Sequence, residues 1–220
     1  NGGYSQIIHD VEDLQGTCSG YGISQAVEEF SWGVVPTQST LYVHLIPLTT
    51  SWTYYDHPED PQAKDGRIKS EIRPDGSWTW YDYDVYGRTV LEVSSWLDEP
   101  LSNPDQPPVT ARRRTFDYDS HDPVDIVEPV DFRPRTITEQ VGGQVVSKTY
   151  YVYLTGSPGG VTVAEIEERC TSPNAEFGDL TNLRTTTGYL DYADRKIGSI
   201  TFPDGRTDRY TYSQGTYDAN

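Results

Sequence analysis

Residues 72–88 read IRPDGSWTWYDYDVYGR, and residues 201–215 read TFPDGRTDRYTYSQG. Setting Pro74 on Pro203 aligns the two stretches at an offset of 129 residues, and Asp75, Gly76, Tyr81 and Tyr83 then fall on Asp204, Gly205, Tyr210 and Tyr212. Each copy carries the same local chemistry. Proline presets φ at the first corner of a turn, aspartate hydrogen-bonds nearby backbone, and glycine accepts the left-handed position. The predicted unit is a hairpin closed by a type I turn with a glycine bulge. Ile68, Ser70 and Ile72 alternate with Lys69, Glu71 and Arg73, so a half-buried strand enters the first turn. Residues 77–84 run out, with Tyr81 and Tyr83 on one face and Trp78, Trp80 and Asp82 on the other. A second turn at Tyr86-Gly87-Arg88 follows, capped by Asp84, with Arg88 paired to a nearby acid, and leads to a third strand over 89–97. The second copy predicts strands over 197–202 and 206–213. Its tyrosines recur while Thr207 and Arg209 stand in place of Trp78 and Trp80. The tyrosine face is therefore expected to be the core face in both copies. The tryptophan face is expected to be open to solvent in one copy, or covered by something local.

Working outward, strand patterns recur over 40–46, 51–55, 113–118, 135–141, 145–154 and 185–192, with Gly142-Gly143 as a hairpin turn. Segments 24–30 and 161–169 fit a strand or a short helix and are taken as strands, because glycine-rich turns precede both. Residues 98–108 hold four prolines and residues 120–135 three more, so both read as loops. The expected class is all-β: an antiparallel sheet of hairpins in a single domain with long Pro-rich loops. Within it, residues 1–50 form an N-terminal β segment of unknown type, continuous with a hairpin region over 51–220.

Composition narrows the function. The 220 residues include 17 Tyr, 5 Trp and 5 Phe, enough for an aromatic core despite 35% hydrophobic content. With 34 acidic and 17 basic residues the net charge is −17, which repels nucleic acid and anionic membrane surfaces. The Arg112-Arg113-Arg114 run reads as a solvated strand face. No stretch reaches the ~20 apolar residues of a membrane helix, so no membrane insertion is expected. The absence of Met and of a signal peptide suggests a processed product or a piece of a longer chain. Cys18 and Cys170 are expected to form a disulfide, with two separate thiols as the alternative. Such a bridge would contribute about 4–5 kcal/mol by loop closure.

The Pro-Asp-Gly, Tyr-Asp and Gly-Arg pattern at 74–88 resembles the tyrosine–aspartate (YD) repeat, also called the RHS repeat, over about 52–97 and 185–217. Phe116-Asp117-Tyr118-Asp119 is a weaker echo. The second copy departs from the pattern: Ser213 replaces Asp84, and Gly215-Thr216 replaces Gly87-Arg88 with a shift of one. The resemblance implies hairpins joined edge to edge as a scaffold, in an extracellular or cell-surface setting. Partners would be the rest of a longer parent chain or copies of the same chain, through sheet edges.

Signals for chemistry are weak. Cys18 in GTCSG has nucleophile spacing but no following helix. Asp82-x-Asp84 opens like a calcium loop, yet Val93 stands where a bidentate glutamate is needed. His9, His44, His57 and His121 lack metal-ligand spacing. No catalytic, cofactor or metal residue is assigned, and the chain is read as a non-enzyme. Trp78 and Trp80 at i,i+2 are the candidate sugar-stacking pair, which makes a carbohydrate-binding module the alternative function and polysaccharide the alternative partner. Packing under a neighbouring loop such as 98–108 is the favoured reading of that pair. A secreted polysaccharide hydrolase or lyase with a dispersed carboxylate pair is the third reading.

Overall fold

The computed structural model describes residues 21–30, 33–43, 46–56, 64, 66–97, 99–103, 105–121, 131–156 and 162–213. They form thirteen strands and no helix: β1 (Tyr21–Phe30), β2 (Gly33–Val43), β3 (Ile46–Tyr54), β4 (Ile68–Ile72), β5 (Trp78–Tyr83), β6 (Thr89–Ser94), β7 (Arg112–Asp117), β8 (Thr136–Val141), β9 (Gln144–Thr155), β10 (Thr162–Arg169), β11 (Leu183–Asp191), β12 (Lys196–Thr201) and β13 (Thr207–Arg209). The expected all-β antiparallel class is the observed one. Strand order is sequence order throughout. Of the two ambiguous segments, 24–30 is strand, and 161–169 is strand over its described residues 162–169.

The chain forms two compact units, Asn1–Thr115 with Gln140–Gln144, and Phe116–Glu139 with Val145–Asn220. Residue 50 lies inside β3.

In the first unit β1 to β7 pair in series. Trp80 stands opposite Ser70 of β4 and Val93 of β6, so these side chains share a face. The core lies there: Trp78 (1% exposed), Trp80 (8%), Val93 and Ala111, with Leu91 and Leu101 against them. This corrects the assignment of the core to the tyrosine face. Tyr81 lies opposite Glu92 on a charged face, and it and Tyr83 are only half-buried. The cover is the chain between β6 and β7. The Trp78 indole N–H donates to the Glu99 carbonyl at 2.7 Å, and Lys69 meets Asp105 at 2.5 Å. Residues 99–103 and 105–108 are thus a strap over the tryptophans, as their proline content permits. The first half of β2 carries Pro36, a residue that lacks a ladder N–H. It is tolerated where the register shifts, opposite Val27.

In the second unit β9 to β13 pair in series, and Arg135 joins the ladder by donating to Asp117 and accepting from Tyr151. Gly142 and Gly143, both with positive φ (56° and 77°), make the predicted two-residue turn between β8 and β9.

Candidate functional site

The two Pro-Asp-Gly stations fold alike. In the first, Gly76 N–H donates to Arg73 O at 2.9 Å, Arg73 N–H to Ser77 O at 2.8 Å, and Gly76 has φ 82°. In the second, Gly205 N–H donates to Phe202 O at 2.9 Å, Phe202 N–H to Arg206 O at 2.9 Å, and Gly205 has φ 83°. The Asp75 carboxylate accepts from Ser77 and the Asp204 carboxylate from Arg206, while Pro74 and Pro203 hold the first corners. Ser77 side-chain and backbone hydrogen bonds hold the Asp75 carboxyl below its ordinary value. A third turn of the same geometry, without proline, spans 84–88: Gly87 (φ 75°) donates to Asp84 O, and Asp84 caps Tyr86 and Arg88. The Arg88 side chain closes on Asp84 at 2.6 Å. Burial acts to raise the Asp84 carboxyl, but the bonds from Arg88 and Tyr86 outweigh it and leave it lowered.

The two copies differ in what lies beside them. In the first, Trp78 O accepts from Ser95 N–H, so the backbones of Trp78, Trp80 and Asp82 face the next strand, β6. Their equivalents are Thr207, Arg209 and Thr211. Tyr210 N–H donates to Gly198 O at 3.0 Å, so residues 206, 208 and 210 face β12 and residues 207, 209 and 211 face away from it. Among the described residues nothing pairs with that edge. Tyr210 is 40% exposed and Tyr212 56% exposed, which corrects their assignment to a core.

Trp78 and Trp80 offer no surface for a sugar ring, because the strap and the neighbouring strands bury both. Cys170 is a free thiol whose Sγ lies 3.5 Å from Ala175 O, and burial raises its pKa. Cys18 and the GTCSG stretch lie outside the described residues, as do His9, His44 and His57. The His121 ring packs edge-on against Tyr150 at 5.0 Å and bonds Thr136.

Two charged clusters in the second unit escaped the sequence reading. In one, the Asp131 carboxylate accepts from Arg133 at 2.7 Å and from the fully buried Arg135 at 3.0 Å. Both guanidiniums lie on the Tyr153 ring, at 4.2 and 4.6 Å from its centre. Burial acts to raise the Asp131 carboxyl, but the bonds from Arg133 and Arg135 overcome it and hold it at about 2. The available signal was D-x-R-x-R: in extended chain, alternate residues share a side. In the other, buried Glu168 takes two bonds from Arg184, at 2.6 and 2.8 Å, with Asn182 at 2.7 Å and Gly178 N–H at 2.6 Å. Beside it is a hollow of about 250 Å³ lined by Asp179 and Leu180 as well as these groups. Both carboxylates are saturated by donors and held ionised. They are built to fasten loops to the sheet, and neither is poised to move a proton. Among the described residues, no group of three or more His, Cys, Asp or Glu is arranged to hold a metal.

No family model matches the chain, and no curated protein matches it. Among solved structures, a porin-like protein from Bacteroides uniformis aligns with a TM-score of 0.42 and 13% identity, covering 92% of this chain and 80% of that one.

Proposed function

We propose that the chain is a non-catalytic structural β module of YD/RHS-like type, a strip of hairpins that extends a larger extracellular or cell-surface assembly. One observation carries this reading: stations 129 residues apart close with the same hydrogen bonds and the same left-handed glycine. A recurring turn propagates a sheet, whereas a catalytic centre requires convergent, incompletely partnered groups. The strong charges instead fasten loops, and the tryptophans fill a core. The acidic composition favours solubility outside the cell.

The test is incubation with a panel of insoluble and soluble polysaccharides, reading pull-down and release of reducing ends. Neither binding nor release is expected. Saturable binding, or reducing-end release abolished by a carboxylate substitution, would replace the structural reading with one of the polysaccharide-directed ones.

A further inference from the structure

We propose that the open edge of β13 is a docking site for the β1 strand of a second copy of this chain, seated where β6 sits in the first station. The inference rests on the structural reading above and specifies its partner. The two stations are the same device, and only their neighbours differ. In the first, Ser95 N–H donates to Trp78 O and β6 lies alongside, so Tyr81 and Tyr83 are half-buried. In the second, the equivalent backbone of Thr207, Arg209 and Thr211 has no partner among the described residues, and Tyr210 and Tyr212 are 40% and 56% exposed. A row of unpaired donors and acceptors flanked by exposed aromatics is a template for strand addition.

Charge and order select β1 as the occupant. Arg206 on the edge is answered by Asp208 at 3.8 Å, while Arg209 has no acidic partner among the described residues. β1 carries Glu28 and Glu29 and no cation. Among the described residues it ends the strand order as β13 does, so a β1 laid on β13 continues a sheet in which every strand follows its predecessor. Joining opposite ends is a head-to-tail contact, which generates an open series of oligomers rather than a closed dimer. The net charge of −17 repels copies at long range, so association is best read at about 150 mM salt, where the screening length is about 8 Å.

Sedimentation velocity over about 1–200 μM, a range that brackets micromolar affinity, tests the proposal with four proteins. Wild type is expected to show mass rising with concentration through successive oligomers. Thr211→Pro removes one outward N–H while sparing the bonds to β12, and is expected to stay monomeric with an unchanged melting temperature. Arg209→Glu is expected to weaken association about ten-fold, the scale of removing one ion pair from the interface. Glu28→Lys with Glu29→Lys in the Arg209→Glu background is expected to restore it. Nitration of Tyr210 and Tyr212 is expected to fall in the assembled fraction. Three results would overturn the proposal: a monomer at every concentration, assembly by Thr211→Pro equal to wild type, or Tyr210 and Tyr212 already protected in the monomer. Should Thr211→Pro misfold, the Arg209→Glu series decides alone. None of these results touches the structural reading, which only the polysaccharide panel can displace.

Discussion

Single backbone positions set the cost of each turn. Gly76 and Gly87 share a left-handed φ, yet their surroundings differ. A Cβ on Gly76 meets nothing within 4 Å, whereas on Gly87 it runs into the Arg67 guanidinium, which lies over the Tyr83 ring at 5.2 Å. Gly76→Ala is therefore expected to cost about 1 kcal/mol, the left-handed penalty alone. Gly87→Ala is expected to cost about 0.5–1 kcal/mol more, because the cation–π contact is displaced. Urea denaturation of the two variants side by side checks the difference, and equal losses would refute the role given to Arg67. Leu97 presents the converse case: a left-handed residue (φ 54°) that is 82% exposed. Its side chain gives little in return for the strain, so Leu97→Asn is expected to stabilise by about 0.5 kcal/mol, read in the same experiment.

At the scale of elements, the strap over the tryptophans is the least self-evident part of the first unit. One tie to the tryptophans is the indole N–H, so Trp78→Phe keeps most of the apolar volume and leaves the Glu99 carbonyl without that donor, while Lys69 still holds Asp105. The expected loss is about 1–3 kcal/mol, with faster amide exchange over residues 99–111 while exchange in β4 and β5 changes less. Uniform exchange across the unit would mean that the tie is not what closes the strap. This element also shows what the sequence carried and what it withheld. Alternation at 68–72 and 77–84 and the Pro-Asp-Gly corner were enough to place β4, β5 and their hairpin. Which face is buried was not legible from recurrence, because Tyr81 and Tyr83 recur for the hairpin's sake while burial of Trp78 and Trp80 depends on Leu101, Ala111 and Glu99. Those partners sit beyond the next strand, in a segment whose prolines announce only a loop. The Asp131, Arg133 and Arg135 cluster was missed for the same reason: it stands in a Pro-rich stretch that reads as an excursion, and its partner Tyr153 is far along the chain.

For the whole molecule, acid should act unequally. The folded-state pKa values of both carboxyls are depressed despite burial, that of Asp131 by Arg133 and Arg135 and that of Glu168 by Asn182, Arg184 and the Gly178 N–H. The stability they contribute is present above their unfolded values and lost as pH falls through the folded ones. For Asp131 the window runs from 3.8 down to about 2. Both belong to the second unit, where the Asp131 carboxylate meets the fully buried Arg135 at 3.0 Å. All five tryptophans lie at or before residue 96, in the first unit, where the lowered carboxyls of Asp75 and Asp105 are exposed and that of Asp84 closes a surface turn with Arg88 rather than balancing a fully buried cation. In an acid titration the far-ultraviolet circular dichroism is therefore expected to change at higher pH than tryptophan emission, and coincident transitions would count against it. Asp131→Asn should remove the carboxylate's contribution at every pH, at a cost of about 3 kcal/mol or more near neutrality, and so flatten the acid dependence of the second unit. The sequential strand order carries one more consequence, in time rather than in space. Among the described residues no strand waits for a partner from a distant part of the chain, so loop closure is cheap at each of these steps. Each hairpin can zip onto the one before it as the polypeptide emerges from the ribosome or an export channel, a vectorial assembly that a Greek-key arrangement of the same strands would forbid.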